Sequence, residues 1–161
     1  MKKSLTYAVW HVLTIACMAA IFYFSSQNAQ MSSNTSSRFI MGVAGFIISD
    51  FKEMPQADQM LLVDNWQHAA RKYAHFSAFF ALGLSAAGAA RTYKINFKAQ
   101  LAAAFAIVFL YAVSDEIHQL FVPGRAAAVG DVLIDTAGGL TGILALLGFR
   151  KLRMMFADKY I

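Results

Sequence analysis

The chain contains four long apolar runs that are separated by polar segments. They cover about residues 5–24, 73–90, 99–118 and 132–149. At about 1.5 Å per helical residue, a run of some twenty residues extends over roughly 30 Å, the thickness of the hydrocarbon layer of a membrane. The pattern predicts an all-α fold, a polytopic membrane helical bundle with four transmembrane helices, in a single domain over residues 1–161.

The segment between the first two runs, residues 25–72, is long for a membrane protein of this size. Residues 25–37 are rich in Ser, Asn and Gln, and we expect them to be irregular. Residues 39–51 are apolar but too short to cross, which indicates an interfacial or re-entrant helix. Residues 56–73 have a loose amphipathic pattern that continues into the second run. We therefore expect further helices in this first outer loop.

Composition supports a membrane protein. Apolar residue types make up 58% of the chain and charged types 14%, whereas a soluble domain has about 25% charged residues. The formal net charge is +5, but the basic residues flank the apolar runs, as in membrane proteins. We therefore expect membrane lipids as partners and no nucleic acid. The lone cysteine, Cys17, excludes an internal disulfide and a Cys-rich zinc site.

The basic residues also predict the orientation of the chain. Placing the N-terminus in the cytoplasm puts nine of the fourteen Lys and Arg residues on the cytoplasmic side. These nine are Lys2, Lys3, Arg91, Lys94, Lys98, Arg150, Lys151, Arg153 and Lys159. By the positive-inside rule, both termini are then cytoplasmic. The first run is longer than the apolar part of a signal peptide, so we expect it to be retained as a span.

Nine polar residues lie at the outer ends of the last three apolar runs. They are Lys72, His75, Asp115, Glu116, His118, Gln119, Arg125, Asp131 and Asp135. Ionised side chains inside a bilayer are costly unless they are paired or hydrated. We therefore expect these residues, contributed by separate helices, to meet in one polar pocket in the outer leaflet.

Parts of this group also have purely structural explanations. Arg71 and Lys72 can anchor their helix at the interface with their charged ends in water, and for Arg71 alone we favour this explanation. The third helix can end before the two acids, which would leave them solvated. Asp131 can cap the fourth helix. Asp135 lies one turn deeper, where capping does not explain it, and its expected partner is Arg125, Lys72 or His75.

The pocket suits two kinds of chemistry. Histidine with carboxylates performs general acid–base catalysis, and the candidate catalytic residues are His75, Asp115, Glu116 and His118. Cationic side chains and helix N-termini hold phosphates or carboxylates, and the candidate substrate-binding residues are Lys72, Gln119, Arg125, Asp131 and Asp135. Histidines and carboxylates also bind divalent metals, but the spacing matches no specific metal motif. We assign no metal ligand and no cofactor.

Four segments resemble the VanZ-like family of membrane proteins. They are residues 24–27 (FSSQ), 72–75 (KYAH), 114–125 (SDEIHQLFVPGR) and 131–139 (DVLIDTAGG). The acidic segment and the following Gly-Arg and Asp pattern are specific in combination, whereas Lys-x-x-His alone is weak. The resemblance extends over about residues 5–148, nearly the whole chain.

The resemblance implies a small polytopic protein of the bacterial cytoplasmic membrane. The name-giving member is associated with resistance to the glycopeptide teicoplanin, and the biochemical mechanism of the family is unsettled. One departure concerns Asp135, where we expect Asn at least as often in relatives, which leaves open whether a charge is needed there.

Three hypotheses follow. In the first, the pocket binds an anionic lipid or a lipid-linked cell-wall precursor through Arg125 and Lys72. In the second, the protein is a membrane-embedded enzyme acting on the same substrate class, with His75 or His118 as acid or base. In the third, the polar residues form an ion-pair network that fixes helix packing, which is weak evidence for net stability. The sequence leaves open whether the protein is an enzyme and which oligomer it forms.

Overall fold

The computed structural model of the chain describes the backbone of residues 2–157 and the side chains of residues 5–150. Within these limits the chain forms α-helices and one short 3-10 helix, without any strand. The helices are α1 (Lys2–Ser25), α2 (Ala29–Ile47), α3 (Gln56–Ala90), α4 (Phe97–Gln119) and α5 (Val129–Ala157), and the 3-10 helix is Phe51–Glu53. The predicted all-α fold is confirmed.

Four helical stretches are long and apolar enough to cross a membrane. They are Leu5–Ser25, Gln56–Ala90, Phe97–Gln119 and Val129–Arg150. Each contains one of the four predicted apolar runs. Many of their large apolar side chains are exposed on the protein surface. This is the arrangement expected where the surrounding solvent is lipid, because helix faces that meet lipid need no protein cover.

Helix α3 is much longer than the apolar run inside it. Its 35 residues extend over about 52 Å, whereas the hydrocarbon layer is about 30 Å thick. The predicted continuation of residues 56–73 into the second span is therefore correct, and the N-terminal part of α3 extends beyond the hydrocarbon on one side. Helix α2 packs against α3 there. Gln67 of α3 joins the two helices, since it accepts a hydrogen bond from Ser33 Oγ (2.8 Å) and donates one to Ser37 Oγ (2.6 Å).

The prediction that residues 25–37 are irregular is wrong. Helix α2 begins at Ala29, and Asn28 caps it by accepting a hydrogen bond from the Met31 backbone N–H at 2.8 Å. Ser and Asn disfavour helix interiors because their side chains compete for backbone hydrogen bonds. Here the N-cap and the contacts with α3 outweigh that preference. The apolar segment 39–51 is divided between the second half of α2 and the 3-10 helix.

Helix α3 lies at the centre and packs against the other four helices. Its Phe79 and Leu82 are fully buried, together with Val108 of α4 and Ile143 of α5. These side chains form the middle of the core.

Glycines bring α3 and α5 into close contact. A methyl group added at Gly138 of α5 would collide with the backbone carbonyl of Phe76, and one added at Gly142 would collide with that of Phe80. Small residues of this kind let membrane helices approach closely. The approach fixes the position of α5 relative to α3, and both helices carry candidate site residues.

Part of the orientation argument concerns residues at the ends of the chain. The side chains of Lys2, Lys3, Lys151 and Arg153 lie outside the described residues, as do Asp158 and Lys159 entirely. The described basic residues Arg91, Lys94, Lys98 and Arg150 lie where α3 ends, α4 begins and α5 nears its end. In this antiparallel arrangement that is the side opposite to the candidate site.

Candidate functional site

The candidate site lies at the end of the bundle where α1 and α4 end and α5 begins. Helix α3 passes this level near its middle, at residues 71–75. Helix α4 continues through the two adjacent acids to Gln119, and Asp115 and Glu116 are 3% and 4% exposed. They are therefore buried helical residues, and the alternative that the third helix ends before them is wrong.

His75 of α3 and Asp135 of α5 face each other across the closest helix contact. His75 Nδ1 lies 3.5 Å from Asp135 Oδ2. Asp135 is completely buried, and neither of its carboxylate oxygens has a hydrogen-bond partner among the described residues. Of the three partners that the sequence offered for Asp135, the structure selects His75.

Asp115 of α4 lies beside this pair. One ligand atom from each of His75, Asp115 and Asp135 can be chosen so that all three lie within 4.8 Å of one another. Asp115 Oδ2 accepts hydrogen bonds from Ser25 Oγ and from Gln119 Nε2, both at 2.9 Å. The carboxylate is thereby held in place by the end of α1 and by its own helix.

Glu116 connects α4 to the start of α5. Its Oε2 accepts a hydrogen bond from the Ala128 backbone N–H at 2.8 Å, and its Oε1 accepts one from Gln119 Nε2 at 3.4 Å. Both carboxylate oxygens of Glu116 are therefore hydrogen-bonded to groups of the protein. Gln119, predicted as a substrate-binding residue, donates to both neighbouring acids and so orients them.

The segment between α4 and α5 contains the turn that its Pro-Gly pair indicates. The Arg125 backbone N–H donates to the Val122 carbonyl oxygen at 3.1 Å, and Gly124 has φ of +75°, which suits the third position of a type II turn. The Arg125 side chain donates from Nε to the Gln27 carbonyl oxygen at 3.2 Å. Arg125 therefore joins the α4–α5 segment to the α1–α2 connection and forms no salt bridge within the described residues.

The charge of Arg125 is partly buried and lies near other charged groups. Burial lowers the pKa of its guanidinium, and the positive charge of Arg71 lowers it further, while Asp115 and Glu116 act in the opposite direction. Arginine still remains protonated. Two guanidinium groups that repel each other in this way would both be stabilised by an anion between them.

Lys72 and Asp131 form a pair nearer the solvent. Their charged atoms are 3.8 Å apart, and the side chains are 42% and 40% exposed. Exposed pairs of this kind contribute about 0–1 kcal/mol. Asp131 lies within the first turn of α5, which begins at Val129, so the alternative that Asp131 is the N-cap residue is wrong.

His118 does not join the other candidate residues. Its Nε2 is 3.1 Å from Ser26 Oγ, and its ring packs on that of Phe22 with 4.6 Å between the centroids. It lines neither of the two cavities at this end of the protein. His75 and His118, the two candidate acid–base residues, therefore do not lie in the same site.

Two neighbouring cavities lie at the site. The larger, of about 650 Å³, lies between α1, α2 and α3 and has mostly apolar walls that include Ile21, Phe24 and Phe39. The smaller, of about 300 Å³, has polar walls. Its charged and histidine residues are His68, Arg71, Lys72, His75, Arg125, Asp131 and Asp135. Three residues line both cavities: Arg71, His75 and Arg125.

A family model described as VanZ/LLP1 matches residues 10–150 of the chain. The chain belongs to the VanZ/LLP1 family. No curated protein and no solved structure matches it. The matched region of this VanZ/LLP1 protein contains every candidate site residue and, apart from residues 5–9, the four apolar helical stretches.

Sequence reasoning did not assign Arg71 to the site of this VanZ/LLP1 protein. It precedes Lys72 and was expected only as an interfacial anchor. In the structure its Nε is buried without a hydrogen-bond partner among the described residues, and the side chain borders both cavities. Ser25 was also missed as the donor to Asp115, although it belongs to one of the VanZ-like segments. The cluster of Arg, Lys and His residues over 68–75 was the sequence feature that could have indicated Arg71 as a site residue.

Proposed function

We propose that this VanZ/LLP1 family protein binds an anionic amphiphile in the outer leaflet of the bacterial cytoplasmic membrane. The ligand class is an anionic lipid or a lipid-linked cell-envelope precursor. Its phosphate or carboxylate headgroup occupies the smaller, polar cavity, and its hydrocarbon chain occupies the larger, apolar one. The single observation that carries the proposal is Arg71, which lines both cavities and whose buried Nε has no hydrogen-bond partner among the described residues.

The shape of the site supports an amphiphile. The two cavities share Arg71, His75 and Arg125 as lining residues, so that an apolar space lies next to a cationic one. Ligand sites in proteins commonly have volumes of about 300–1,000 Å³ with mostly apolar walls and a few well-placed polar groups. A free inorganic anion would need the polar cavity alone, whereas the apolar cavity suits a hydrocarbon chain.

The charges around the polar cavity support a negative headgroup. Arg71 and Arg125 line the same cavity with like charges, and a hydrogen bond to the Gln27 carbonyl oxygen holds the Arg125 side chain in place. Planar guanidinium groups bind phosphate and carboxylate with two parallel hydrogen bonds. Lys72 is paired with Asp131 and is 42% exposed, which suits a role in attracting the headgroup.

The test is lipid binding by purified protein in nanodiscs with and without Arg71→Gln. Arg71 makes no described hydrogen bond, so its replacement removes a ligand contact without breaking an internal one. Hydrogen bonds to charged groups contribute about 1.5–3 kcal/mol, and we therefore expect retention of phosphatidylglycerol, followed by native mass spectrometry, to weaken by about 10- to 100-fold.

Arg38→Gln is the matched control, because Arg38 is an exposed basic residue on α2 that lines neither cavity. It should leave phosphatidylglycerol retention unchanged. Phosphatidylcholine, whose headgroup has no net charge, should not be retained by either protein. Equal retention of the two lipids, or equal losses in the two variants, would refute the proposal.

The membrane orientation is part of this proposal. The described basic residues at the opposite end of the bundle favour a cytoplasmic position for that end, and both termini would then be cytoplasmic. The test uses a Cys17→Ala background with Ser49→Cys or Lys94→Cys and a membrane-impermeant maleimide. Ser49→Cys should react in intact cells and Lys94→Cys only after lysis, and the reverse pattern would invert the orientation.

The alternative function is an enzyme acting on a lipid-linked envelope substrate. His75 lines both cavities and lies beside Asp135. This favours the enzyme alternative, because a histidine oriented by a carboxylate can transfer protons. Incubation with radiolabelled lipid-linked diphosphate substrates tests this alternative. Product formed by the wild-type protein and lost in His75→Gln, but kept in His118→Gln, would support it, and absence of product would favour simple binding.

A link to teicoplanin resistance is the part of the proposal that comes from the family resemblance alone. If the bound ligand is a cell-wall precursor, expression of the protein in a sensitive bacterium should raise the inhibitory concentration of teicoplanin, and Arg71→Gln should abolish the increase. If the increase persisted in Arg71→Gln, resistance would not depend on ligand binding in the cavity.

A further inference from the structure

We infer that His75, Asp115 and Asp135 bind a first-row divalent transition-metal ion, with Zn²⁺ as the best match to the donors. The three residues come from α3, α4 and α5, and one ligand atom of each can be chosen within 4.8 Å of the others. This site differs from the anion site of Arg71 and Arg125 and does not depend on it.

The lack of hydrogen bonds to the buried carboxylate of Asp135 points to a missing cation. Its side chain is completely buried, yet neither oxygen accepts a hydrogen bond from a described residue. A buried carboxylate without partners is strongly unfavourable, and such groups are normally paired or bound to metal. His75 Nδ1 pairs with the Asp135 carboxylate at 3.5 Å, which is longer than the usual 2.7–2.9 Å of a charge-assisted hydrogen bond.

The distance between His75 and Asp135 suits two ligands of one metal ion. With bonds of about 2.0–2.1 Å, two ligands of a tetrahedral zinc ion lie about 3.3–3.4 Å apart, and the separation of His75 Nδ1 and Asp135 Oδ2 is 3.5 Å. Asp115 completes the set after a small side-chain adjustment. A bound ion would satisfy Asp135 and offset the negative charge of both buried aspartates.

The surroundings hold the ligands as a metal site requires. Asp115 is oriented by Ser25 and Gln119 through its Oδ2, and outer hydrogen bonds of this kind position metal-binding carboxylates. The Phe76 carbonyl and Gly138 are in close contact. His75 directly precedes Phe76, and Asp135 lies about one helical turn before Gly138. The helices that carry them therefore cannot shift easily with respect to each other.

The donor set selects the class of metal. Mg²⁺ and Ca²⁺ prefer sites made entirely of oxygen ligands, whereas one imidazole with two carboxylates suits Zn²⁺ and its first-row neighbours. Three protein ligands leave a coordination position open. Since His75 and Asp135 line the polar cavity, that position is available to water or to an anionic headgroup.

The test measures metal binding by the full-length protein in phosphatidylcholine nanodiscs, where no anionic lipid is present. The protein is freed of metal with a chelator, incubated with Zn²⁺ alone, and assayed by mass spectrometry of its metal content. We expect a stoichiometric amount of Zn²⁺ that excess Mg²⁺ or Ca²⁺ does not displace. Asp135→Asn and His75→Gln should each weaken binding by about 100-fold or more, because even loss of an outer partner costs about 10- to 100-fold.

Asp131→Asn and His68→Gln are the matched controls, since both residues border the polar cavity but lie outside the three-residue cluster. Both controls should bind Zn²⁺ as the wild type does. A folded wild-type protein that takes up only traces of Zn²⁺ would overturn the inference, and so would equal losses in the controls and in the ligand variants. Neither result would affect the proposed lipid binding, which Arg71→Gln tests separately.

Discussion

The contact between α3 and α5 offers a test of how the site is positioned. Gly142 of α5 lies two turns beyond Asp135. An added methyl group at Gly142 would collide with the carbonyl oxygen of Phe80 and would lie 2.9 Å from the Leu84 backbone nitrogen. These neighbours are backbone atoms, which cannot rotate away. Gly142→Ala should therefore push α5 away from α3 and move Asp135 relative to His75.

The size of the effect follows from two opposing contributions. Overpacking a closely packed site costs about 1–3 kcal/mol, while replacing Gly by Ala within a helix recovers about 0.5–1 kcal/mol. We expect a net loss of about 0.5–2 kcal/mol, which lowers the ratio of folded to unfolded protein by about 2- to 30-fold. Gly148→Ala is the control, because a methyl group there meets no atom within 4 Å.

The assay is reversible unfolding in mixed detergent micelles with increasing dodecyl sulfate, followed by circular dichroism. Phosphatidylglycerol retention and Zn²⁺ uptake are measured on the same samples. Gly142→Ala should unfold at lower dodecyl sulfate and bind both probes more weakly, whereas Gly148→Ala should be more stable than the wild type by about 0.5–1 kcal/mol and bind both probes equally well. If Gly142→Ala were at least as stable as the wild type and bound both probes equally well, the close approach of α3 and α5 would not position the site.

Three further predictions concern single residues. Gly124→Ala should destabilise the protein by about 1–2 kcal/mol, because an alanine is strained at a φ of +75°, and thermal unfolding measures this loss. Ser25→Ala should cost about 1–3 kcal/mol, because it removes a buried donor to Asp115, whereas Ser26→Ala, at an exposed neighbour, should change the unfolding free energy by less than about 0.5 kcal/mol. His118→Ala should leave phosphatidylglycerol retention and Zn²⁺ uptake unchanged, since His118 lines neither cavity, and a loss of either by more than about tenfold would contradict the site as described.

The sequence by itself determined the class of fold. Four apolar runs of bilayer length predict four membrane-crossing helices, because backbone groups in hydrocarbon must bond within their own segment. It also indicated the end of the bundle where the polar residues gather, since the ends of consecutive crossing helices alternate between the two membrane surfaces. Residues 56–73 were correctly expected to continue into the second span.

Predictions from local sequence were wrong where contacts between helices determine the structure. Residues 25–37 have the composition of an irregular segment, yet from Ala29 they are helical and packed on α3. Asp131 was a reasonable N-cap candidate, whereas Glu116 was expected in the pocket and only alternatively in solvent. Their actual environments depend on where α5 begins and on the hydrogen bond from the Ala128 N–H, which no local pattern reveals.

Only the tertiary structure decided which polar residues meet. It paired Asp135 with His75 rather than with Lys72 or Arg125, turned His118 away, and placed Arg71 between the two cavities. The physical reason is that a helix in lipid can be apolar on every side, so its sequence carries little information on its rotation about its own axis. That rotation was set instead by close glycine contacts between α3 and α5, which involve residues more than fifty positions apart.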